Sequence, residues 1–469
     1  MLQAFINVFK IAELRSKLFF TFAMLAVYRI GFWIPVPGVS QEALTTFFEQ
    51  QSQTGGAFGR LASYMAIFSG GSLSQSTIFG LGIMPYISAA IIFQLLNSVV
   101  PALKKLKEEG PAGQQKIQEW TRYATIGLCI VQSIAWLQFI TRASTGAGGL
   151  VQPWWSSNPL WWLMAICSLT AGTVFLMWLG EQIDKHGIGN GVSLIITAGI
   201  LSQMPWAIME VARRFDPGAS DGIGLMGVVL LAGGFVLVVA GSVLMTVAQR
   251  RILIQQAKHT RGRKVYGGQR SYLPLRVNHG GVMPIIFASS LMIFPSVMFS
   301  AMGTQLQVAA PNSWWTEAVR WIGDELGFGS YLYVILYIGM VYFFSYFWIT
   351  VQFNPEEMSK QLRDHGSFIP GLRPGPRTAE YLESVMERIT YVGAAFLAFI
   401  AVLPMVVGKS LNVPFTVTQF LGGTGLLIVV SVCLDFIQRV EVNLLMRNYA
   451  GFLGGGDDGR GPKMRGPRY

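Results

Sequence analysis

Ten long apolar segments run through the chain, and each approaches the roughly 20 residues that an α-helix needs to cross a bilayer. They cover residues 18–37, 77–100, 120–141, 158–180, 190–209, 222–248, 281–301, 329–352, 387–407 and 419–446. Charged residues make up only 13% of the 469 residues, compared with about 25% in soluble proteins. Because a bilayer satisfies no backbone polar groups, segments of this length must be helices. The sequence therefore predicts an all-α polytopic membrane protein.

Lys and Arg are unevenly distributed among the connections between these segments. If the N-terminus is cytoplasmic, 28 of the 35 Lys and Arg residues lie on the cytoplasmic side and six on the outer side. Because cytoplasmic loops carry an excess of positive charge, this asymmetry predicts that both termini are cytoplasmic.

The apolar pattern also suggests how the chain is divided. We expect an amphipathic interfacial segment at residues 1–17, because its apolar side chains recur at helical spacing. The two halves of the membrane domain are expected at 18–214 and 215–446, with five spans each. A Gly-rich, basic and flexible cytoplasmic tail is expected at 447–469.

A short motif occurs once in each half. Residues 82–87 read GIMPYI and residues 281–286 read GVMPII, at the start of the second and the seventh span. With an odd number of spans per half, these two helices cross the membrane in opposite directions, which is typical of an inverted repeat. Six residues can also match by chance. If the repeat is real, the functional site lies at the interface of the halves.

Ionisable side chains are sparse in the predicted spans: Arg29 lies in span 1, Glu181 and Asp184 lie at the cytoplasmic end of span 4, and Asp435 lies in span 10. We interpret these four as packing contacts or helix ends rather than as a proton relay. The sequence also lacks a phosphate-binding loop, a nucleophile–base pair and a metal-ligand spacing. We therefore expect no catalytic residue, no metal and no cofactor, which favours a passive conduit.

Two other functional classes stay open at this point. A secondary transporter with inverted repeats also explains the repeated motif, but it predicts a polar or ionisable site at the bilayer midplane. An intramembrane enzyme needs a nucleophile with a nearby base, and the sequence offers no such pair.

Isoleucine recurs near the predicted interface of the halves, at Ile83, Ile87, Ile196, Ile286 and Ile428. A collar of apolar side chains can close a pore by contact and dewetting. The same residues also suit an ordinary core or a lipid-facing surface, so their spacing alone does not decide between these alternatives.

Two connections on the cytoplasmic side are long, at residues 249–280 and 353–389. The first carries eight Lys or Arg residues and no acidic residue. Orientation explains some of this charge, but it does not require loops of such length, and long loops are usually functional. We expect them to dock an acidic protein surface or the phosphates of a structured RNA.

Seven strings, in order along nearly the whole chain, resemble the SecY family of protein-conducting channels. They are YRIGFWIPVPG (28–38), FSGGSLSQSTIFGLGIMPYISAAIIFQLL (68–96), FLMWLGEQIDKHGIGNGVSLI (175–195), GRKVYGGQRSYLPLRVN (262–278), GVMPIIFASS (281–290), FNPEEMSKQLRDHGSFIPGLRPG (353–375) and GGTGLLIVVSVCLDF (422–436).

The resemblance implies ten transmembrane helices in two inverted five-helix halves that form a clam-shell around an hourglass pore. By motif position, the implied hydrophobic pore ring falls on Ile83, Ile87, Ile196, Ile286 and Ile428. The element at about 61–75 corresponds to a plug, hinged at Phe68, Ser69, Gly70 and Gly71.

The family also has a lateral gate between spans 2 and 3 on one side and spans 7 and 8 on the other. The polar gate positions implied here are Ser88, Gln94, Gln132, Ser289 and Ser290. Docking of cytoplasmic partners is implied for Arg261, Arg263, Lys264 and Arg373.

By the same resemblance, the chain translocates unfolded secretory polypeptides across the bacterial plasma (inner) membrane and releases transmembrane segments sideways into lipid. The implied partners are the small subunits SecE and SecG, the motor ATPase SecA, the ribosome with its RNA and proteins, signal peptides and nascent chains. YidC, SecDF and membrane lipids are further candidates.

Overall fold

The computed structural model of the chain is predominantly helical. It describes residues 12–44, 46, 76–147, 150–156, 158–215, 224–257, 259–261, 264–266, 268, 270–278, 280–281, 283–309, 313–327, 330–410, 417 and 424–453. The helices are α1 Ala12–Ile30, α2 Met84–Val99, α3 Pro101–Glu108, α4 Pro111–Ala147, α5 Pro153–Ser156, α6 Pro159–His186, α7 Gly191–Ser202, α8 Met204–Arg214, α9 Leu225–Val247, α10 Met283–Ala309, α11 Trp314–Glu325, α12 Tyr331–Gln352, α13 Pro355–Asp364, α14 Pro376–Ser410 and α15 Thr424–Leu453. The strands are β1 Gln249–Gln256, β2 His259–Arg261, β3 Lys264–Tyr266, β4 Arg270–Arg276 and β5 Ser367–Phe368.

Within this described part of the chain, the helices match the ten predicted spans one to one. In order, spans 1 to 10 are α1, α2, α4, α6, α7 with α8, α9, α10, α12, α14 and α15. Five stretches are long and apolar enough to cross a membrane on those grounds alone: Pro159–His186, Gly191–Arg214, Leu225–Val247, Tyr331–Asp364 and Pro376–Val406. The prediction of an all-α polytopic fold is confirmed.

The two halves repeat the same helix packing. Spans 2 and 3 pack together as spans 7 and 8 do, and spans 3 and 4 pack as spans 8 and 9 do. Span 1 lies against span 4, and its counterpart span 6 lies against span 9. Span 10 packs on both span 5 and span 6, and so it joins the halves.

The predicted end of span 1 and the predicted start of span 2 are wrong. Span 1 ends at Ile30 and continues as one 3₁₀ turn to Trp33, rather than reaching residue 37. Pro35 and Pro37 follow, and neither has an amide hydrogen to extend a helix. Span 2 begins at Met84 rather than at residue 77, because residues 76–83 form successive turns.

The structure also differs from the predicted division of the chain near both termini. Residues 12–17, expected in the interfacial segment, belong to the first turns of α1, where Leu14 is buried. At the other end, α15 continues to Leu453, into the segment expected to be a flexible tail. Residues 1–11 and 454–469 lie outside the described residues.

The two long connections fold together at one end of the helix bundle, which we call the sheet end (residues 249–276 and 353–375). Strand β1 pairs antiparallel with β4 and with β5, so the first connection contributes two strands and the second contributes one. Ile252, Leu275 and Ile369 pack with Leu382 of α14 in one apolar cluster. Helix α14 begins at Pro376, inside the connection expected to run to 389, and continues through span 9.

The turn between spans 4 and 5 is unusually tight. Asp184 Oδ1 accepts a hydrogen bond of 2.7 Å from the Gly191 amide, and Asn190 Oδ1 accepts one of 3.1 Å from Ser193. These two side chains satisfy amides that the start of a helix leaves free. A Cβ on Gly191 would lie 2.0 Å from the carbonyl oxygen of Gly180, so only glycine permits this approach.

We predict that Gly191→Ala lowers the stability of the protein by about 1–3 kcal/mol, because the added methyl group forces spans 4 and 5 apart. The measurement is the thermal unfolding midpoint in detergent. Gly233→Ala in span 6 is the matched control, since a Cβ there has nothing within 4 Å. Equal midpoints for the two variants would contradict the prediction.

Candidate pore constriction and docking surface

The five isoleucines singled out in the sequence come together in one apolar cluster. Their exposed fractions are 2% for Ile83, 8% for Ile87, 7% for Ile196, 4% for Ile286 and 2% for Ile428. All five belong to the same cluster, although they come from spans 2, 5, 7 and 10. The arrangement thus joins the two halves of the chain through branched apolar side chains.

The glycine and the helix start of the repeated motif have the same conformation in both halves. Gly82 has φ +58° and Gly281 has φ +60°, a left-handed conformation that glycine adopts without strain. In each copy the helix begins at the methionine and its second residue is proline, which costs little there because that amide has no intrahelical partner. The shared geometry supports an inverted repeat rather than a chance match.

This motif sets the positions of three of the isoleucines. Ile83 is the N-cap residue of α2, and the Ile87 amide donates a 3.1 Å hydrogen bond to its carbonyl. Ile286 lies in the first turn of α10, and Ile428 lies near the start of α15. The isoleucine cluster is therefore built largely from the beginnings of helices.

The backbone just before span 2 is held by the loop that follows span 1. The Val36 amide donates to Ser76 O at 2.9 Å, and the Ile78 amide donates to Ile34 O at 3.0 Å. Thr77 lies opposite Pro35 as an isolated β-bridge. These bonds satisfy irregular backbone that would be costly at membrane depth.

Close packing of side chains also holds residues 76–83 in place. The Phe79 ring stacks on Tyr28 and on Phe175, with centroids 6.4 and 6.0 Å apart. A Cβ on Gly172 of span 4 would lie 2.1 Å from Ile78 O, so the absent side chain makes room for the turn. Residues 76–83 are thus anchored to spans 1 and 4.

Ser76 stands out in a way that sequence reasoning did not find. Its φ is +45°, uncommon for a residue other than glycine, and its side chain is fully buried. Among the described residues, neither Ser76 Oγ nor Thr77 Oγ1 has a hydrogen-bond partner. Strained and unsatisfied groups of this kind concentrate at functional sites. No sequence signal distinguishes this serine from its neighbours Ser72 and Ser74.

The predicted plug at 61–75 and its hinge at Phe68, Ser69, Gly70 and Gly71 lie outside the described residues. The described chain resumes at Ser76, the strained residue.

The predicted gate positions lie on the expected helices. Ser88 and Gln94 are half-buried on span 2, and Gln132 is half-buried on span 3. Ser289 on span 7 is buried, and its hydroxyl donates to the Ile286 carbonyl of its own helix at 3.0 Å. The backbone of Ser290 is helical, but its side chain is outside the described part. No hydrogen bond between described residues links these positions across the halves.

The seam between spans 2 and 3 and spans 7 and 8 is loosely packed. None of the closely packed helix pairs in the described chain crosses it. Towards the sheet end, a cavity of about 1020 Å³ separates Asn97, Lys104 and Gln114 from the ends of spans 8 and 9. The halves are therefore joined firmly through span 10 and weakly along this seam.

The predicted docking residues lie on the sheet-end body. The backbones of Arg261 and Lys264 lie opposite each other in the β2–β3 hairpin. Arg263 and the side chains of Arg261 and Lys264 lie outside the described part of the chain. Arg373 is exposed, in a turn held by a 2.9 Å hydrogen bond from Thr378 Oγ1 to the Arg373 carbonyl. The sequence did not predict that both connections share one sheet.

The four ionisable residues of the spans make local contacts. Arg122 of span 3 pairs with Glu181 at 2.7 Å, Asp184 caps span 5, and Arg439 pairs with Asp435 at 2.8 Å. The Arg29 guanidinium lies 5.2 Å from the centre of the Phe32 ring. These contacts agree with their interpretation as packing contacts and helix ends.

Comparison with known proteins gives consistent results. A sequence model described as SecY matches residues 77–437. The chain is 40% identical to the protein translocase subunit SecY of Chlamydia muridarum over 456 residues, which are 95% of this chain and 97% of the relative. It is 39% identical to the subunit of the same name from Thermotoga maritima over the full length of both chains, and 40% identical to that of Escherichia coli over 94% of each.

The fold has solved counterparts as well. A structure described as a protein conducting channel has a TM-score of 0.57 at 19% identity, covering 95% of this chain and 94% of the other. Sec61 in a canine ribosome–channel complex from the endoplasmic reticulum has a TM-score of 0.54 at 17% identity, with the same coverage. At such identities these structures show the fold alone. The chain is a multi-pass membrane protein and belongs to the SecY family.

Proposed function

We propose that this chain is the channel-forming subunit of a protein translocase, which conducts unfolded secretory polypeptides across the membrane and releases apolar segments sideways into lipid. The observation that carries the proposal is the single cluster of five buried isoleucines contributed by both halves. Branched apolar side chains hold no ion and can close around a chain of varied sequence, so they suit a polypeptide conduit.

The alternative of a secondary transporter is not supported. Such a protein needs a polar or ionisable binding site where its repeats meet. Here the repeat interface is lined by isoleucine, while Arg122 pairs with Glu181 and Asp184 caps a helix away from it. The chain has no catalytic role in this proposal, and the work of transport comes from a partner.

The isoleucines serve as the pore ring in this function, and the segment at 61–75 serves as the plug. The strained backbone at Ser76 supports a hinge at the end of the plug, because it lies directly between that segment and the anchored turn. The loosely packed seam supports a lateral gate between spans 2 and 3 and spans 7 and 8. An apolar segment leaves there because lipid is the better solvent for it.

We propose that the sheet end faces the cytoplasm, that both termini lie there, and that the membrane is the bacterial plasma membrane. The β2–β3 hairpin would present Arg261, Arg263 and Lys264, and the turn after β5 would present Arg373, to SecA or to the ribosome. SecE and SecG would complete the complex, signal peptides and nascent chains would be its clients, and YidC and SecDF are further candidates. The Sec61 neighbour was described in a ribosome complex, which is consistent with this docking face.

The proposal is tested by reconstituting the chain with its small subunits and measuring ATP-driven translocation of a signal-bearing preprotein by the motor. Protease-protected preprotein is the expected result. Saturable uptake of a small solute without translocation would favour the transporter and overturn the proposal.

We predict that replacing Ile83, Ile87 and Ile286 together with Gly raises the ion leak of reconstituted vesicles. Each change removes roughly 2–5 kcal/mol of buried packing from the constriction, so water and ions can enter. Conductance across a planar bilayer is the measurement. Ile335→Gly is the matched control, since Ile335 is 47% exposed on span 8. Bilayers equally tight with the triple variant and with the control would argue against the ring.

We predict that deleting residues 61–75 also makes resting channels leak, because nothing then occupies the outer part of the pore. Deletion of 454–469, a segment of similar length at the chain end, should leave the leak unchanged. Single-channel recordings distinguish the two. If the plug deletion stays as tight as the tail deletion, the plug assignment is wrong.

We predict that Arg373→Glu lowers motor-driven translocation by more than about tenfold, because a like charge now faces the acidic partner surface. Arg363→Glu is the control, on the same body but already next to Asp364 at 3.6 Å. The initial rate of preprotein import measures both. Equal losses would show that overall charge matters and that the Arg373 turn has no specific role.

A further inference from the structure

A groove lies between spans 8 and 9, away from the isoleucine cluster. It encloses about 480 Å³ and is lined by Ile338, Tyr342, Ala395, Ala398, Phe399 and Val402. Its walls are apolar apart from the Tyr342 hydroxyl. In a soluble protein such a cavity would take up an apolar ligand, and in a bilayer the available apolar ligand is lipid.

The groove opens on the lipid-facing surface of the helix bundle. Phe399 and Val406 on its rim are each 58% exposed. The small side chains of Ala395 and Ala398 create the depression between the larger residues of span 9. A transmembrane helix is about 10–12 Å across, so it would rest on the rim and could not fill the cavity. A single acyl chain is narrow enough to enter.

Tyrosines mark the end of the groove nearer the sheet end. Tyr342 lies 5.7 Å from Tyr391 between ring centres, with the rings tilted by 57°. Tyr346 is one helical turn from Tyr342 on span 8, and Tyr391 is one turn before Ala395 on span 9. Tyrosine is enriched where lipid headgroups meet the hydrocarbon, so this level is the membrane interface.

Two charges lie beyond the tyrosines on span 9: Glu387 continues the row of Tyr391 and Ala395, and Arg388 is the next residue, about 100° around the helix. Glu387 is one turn before Tyr391, is exposed, and is an electrostatic neighbour of the Tyr346 hydroxyl. Glu387 and Tyr346 also line the 1020 Å³ cavity, so the headgroup end of the groove borders the seam there. Arg388 follows it and is also exposed. Neither side chain takes part in a salt bridge within the described residues. An adjacent carboxylate and guanidinium at headgroup level match a ligand with one positive and one negative group.

We propose that this groove binds one acyl chain of a phosphatidylethanolamine, with the headgroup amine at Glu387 and the phosphate at Arg388. The ammonium donates charge-assisted hydrogen bonds to the carboxylate, whereas phosphatidylglycerol offers only neutral hydroxyl donors and carries a net negative charge. The site goes beyond the conduit function, and it requires only that the chain spans the membrane.

The test is native mass spectrometry of the purified translocase complex, equilibrated with equal amounts of phosphatidylethanolamine and phosphatidylglycerol. Ala395→Phe fills the groove and should abolish retention of the bound phosphatidylethanolamine. Glu387→Gln should lower the preference for phosphatidylethanolamine about two- to fivefold, the range expected for one exposed charge pair. The matched controls are Ala240→Phe on the exposed surface of span 6 and Glu441→Gln on α15, and both should behave like the unmodified chain.

Three results would overturn the site. Equal lipid retention by Ala395→Phe and Ala240→Phe would mean ordinary annular lipid. Equal headgroup preference in Glu387→Gln and Glu441→Gln would remove the headgroup contact. Release of a small protein subunit instead of lipid from Ala395→Phe would make the groove a protein interface. If Ala395→Phe does not purify as a single species, Val406→Trp on the exposed rim tests the same groove.

Discussion

The architecture depends on satisfying irregular backbone at membrane depth. Residues 76–83 form turns rather than a helix, with positive φ at Ser76 and Gly82, and lipid offers no hydrogen bonds in compensation. The loop after span 1 supplies them through Ile34 and Val36. Once these bonds hold the turn in protein, span 2 can begin partway across the membrane. Its first residues then pack in one cluster with the isoleucines of the other half.

The cost of unsatisfied polar groups at membrane depth also explains why the spans carry few ionisable side chains. An unpaired charge at this depth is costly, and Arg122 pairs with Glu181 while Asp184 caps the next helix. The polar surfaces are placed at the sheet end, where water is available. There, β1 joins both connections, and α14 continues without a break from this body into span 9. A partner bound at the sheet end is therefore mechanically connected to the membrane helices.

The positions of the spans and of the repeated motif were predictable, because hydropathy and short motifs can be read directly from the sequence. The ten spans, and the isoleucines that follow the repeated Gly-x-Met-Pro motif, follow from the sequence. The pairing of β1 with β5 was not predictable, since Gln255 and Phe368 are far apart in sequence and neither connection shows a strong strand pattern alone. The apolar composition of residues 77–83 predicts too early a start for span 2, because composition does not reveal that Gly82 adopts a left-handed conformation. The strain at Ser76 depends on tertiary contacts with Val36, which no local pattern records.

The location of the constriction at helix beginnings has a mechanical consequence. Ile83 and Ile87 lie at the start of α2, about 20 Å from its other end at a rise of 1.5 Å per residue. If α2 tilts about its anchored start by ~10°, that far end moves roughly 3–4 Å, while the isoleucines move less than about 1 Å. Ile286 has the same relation to α10, whose start carries the matching glycine turn. A seam between the halves can therefore open at the helix ends while the isoleucine cluster stays closed. In the function proposed above, lateral opening and pore opening are then separable motions.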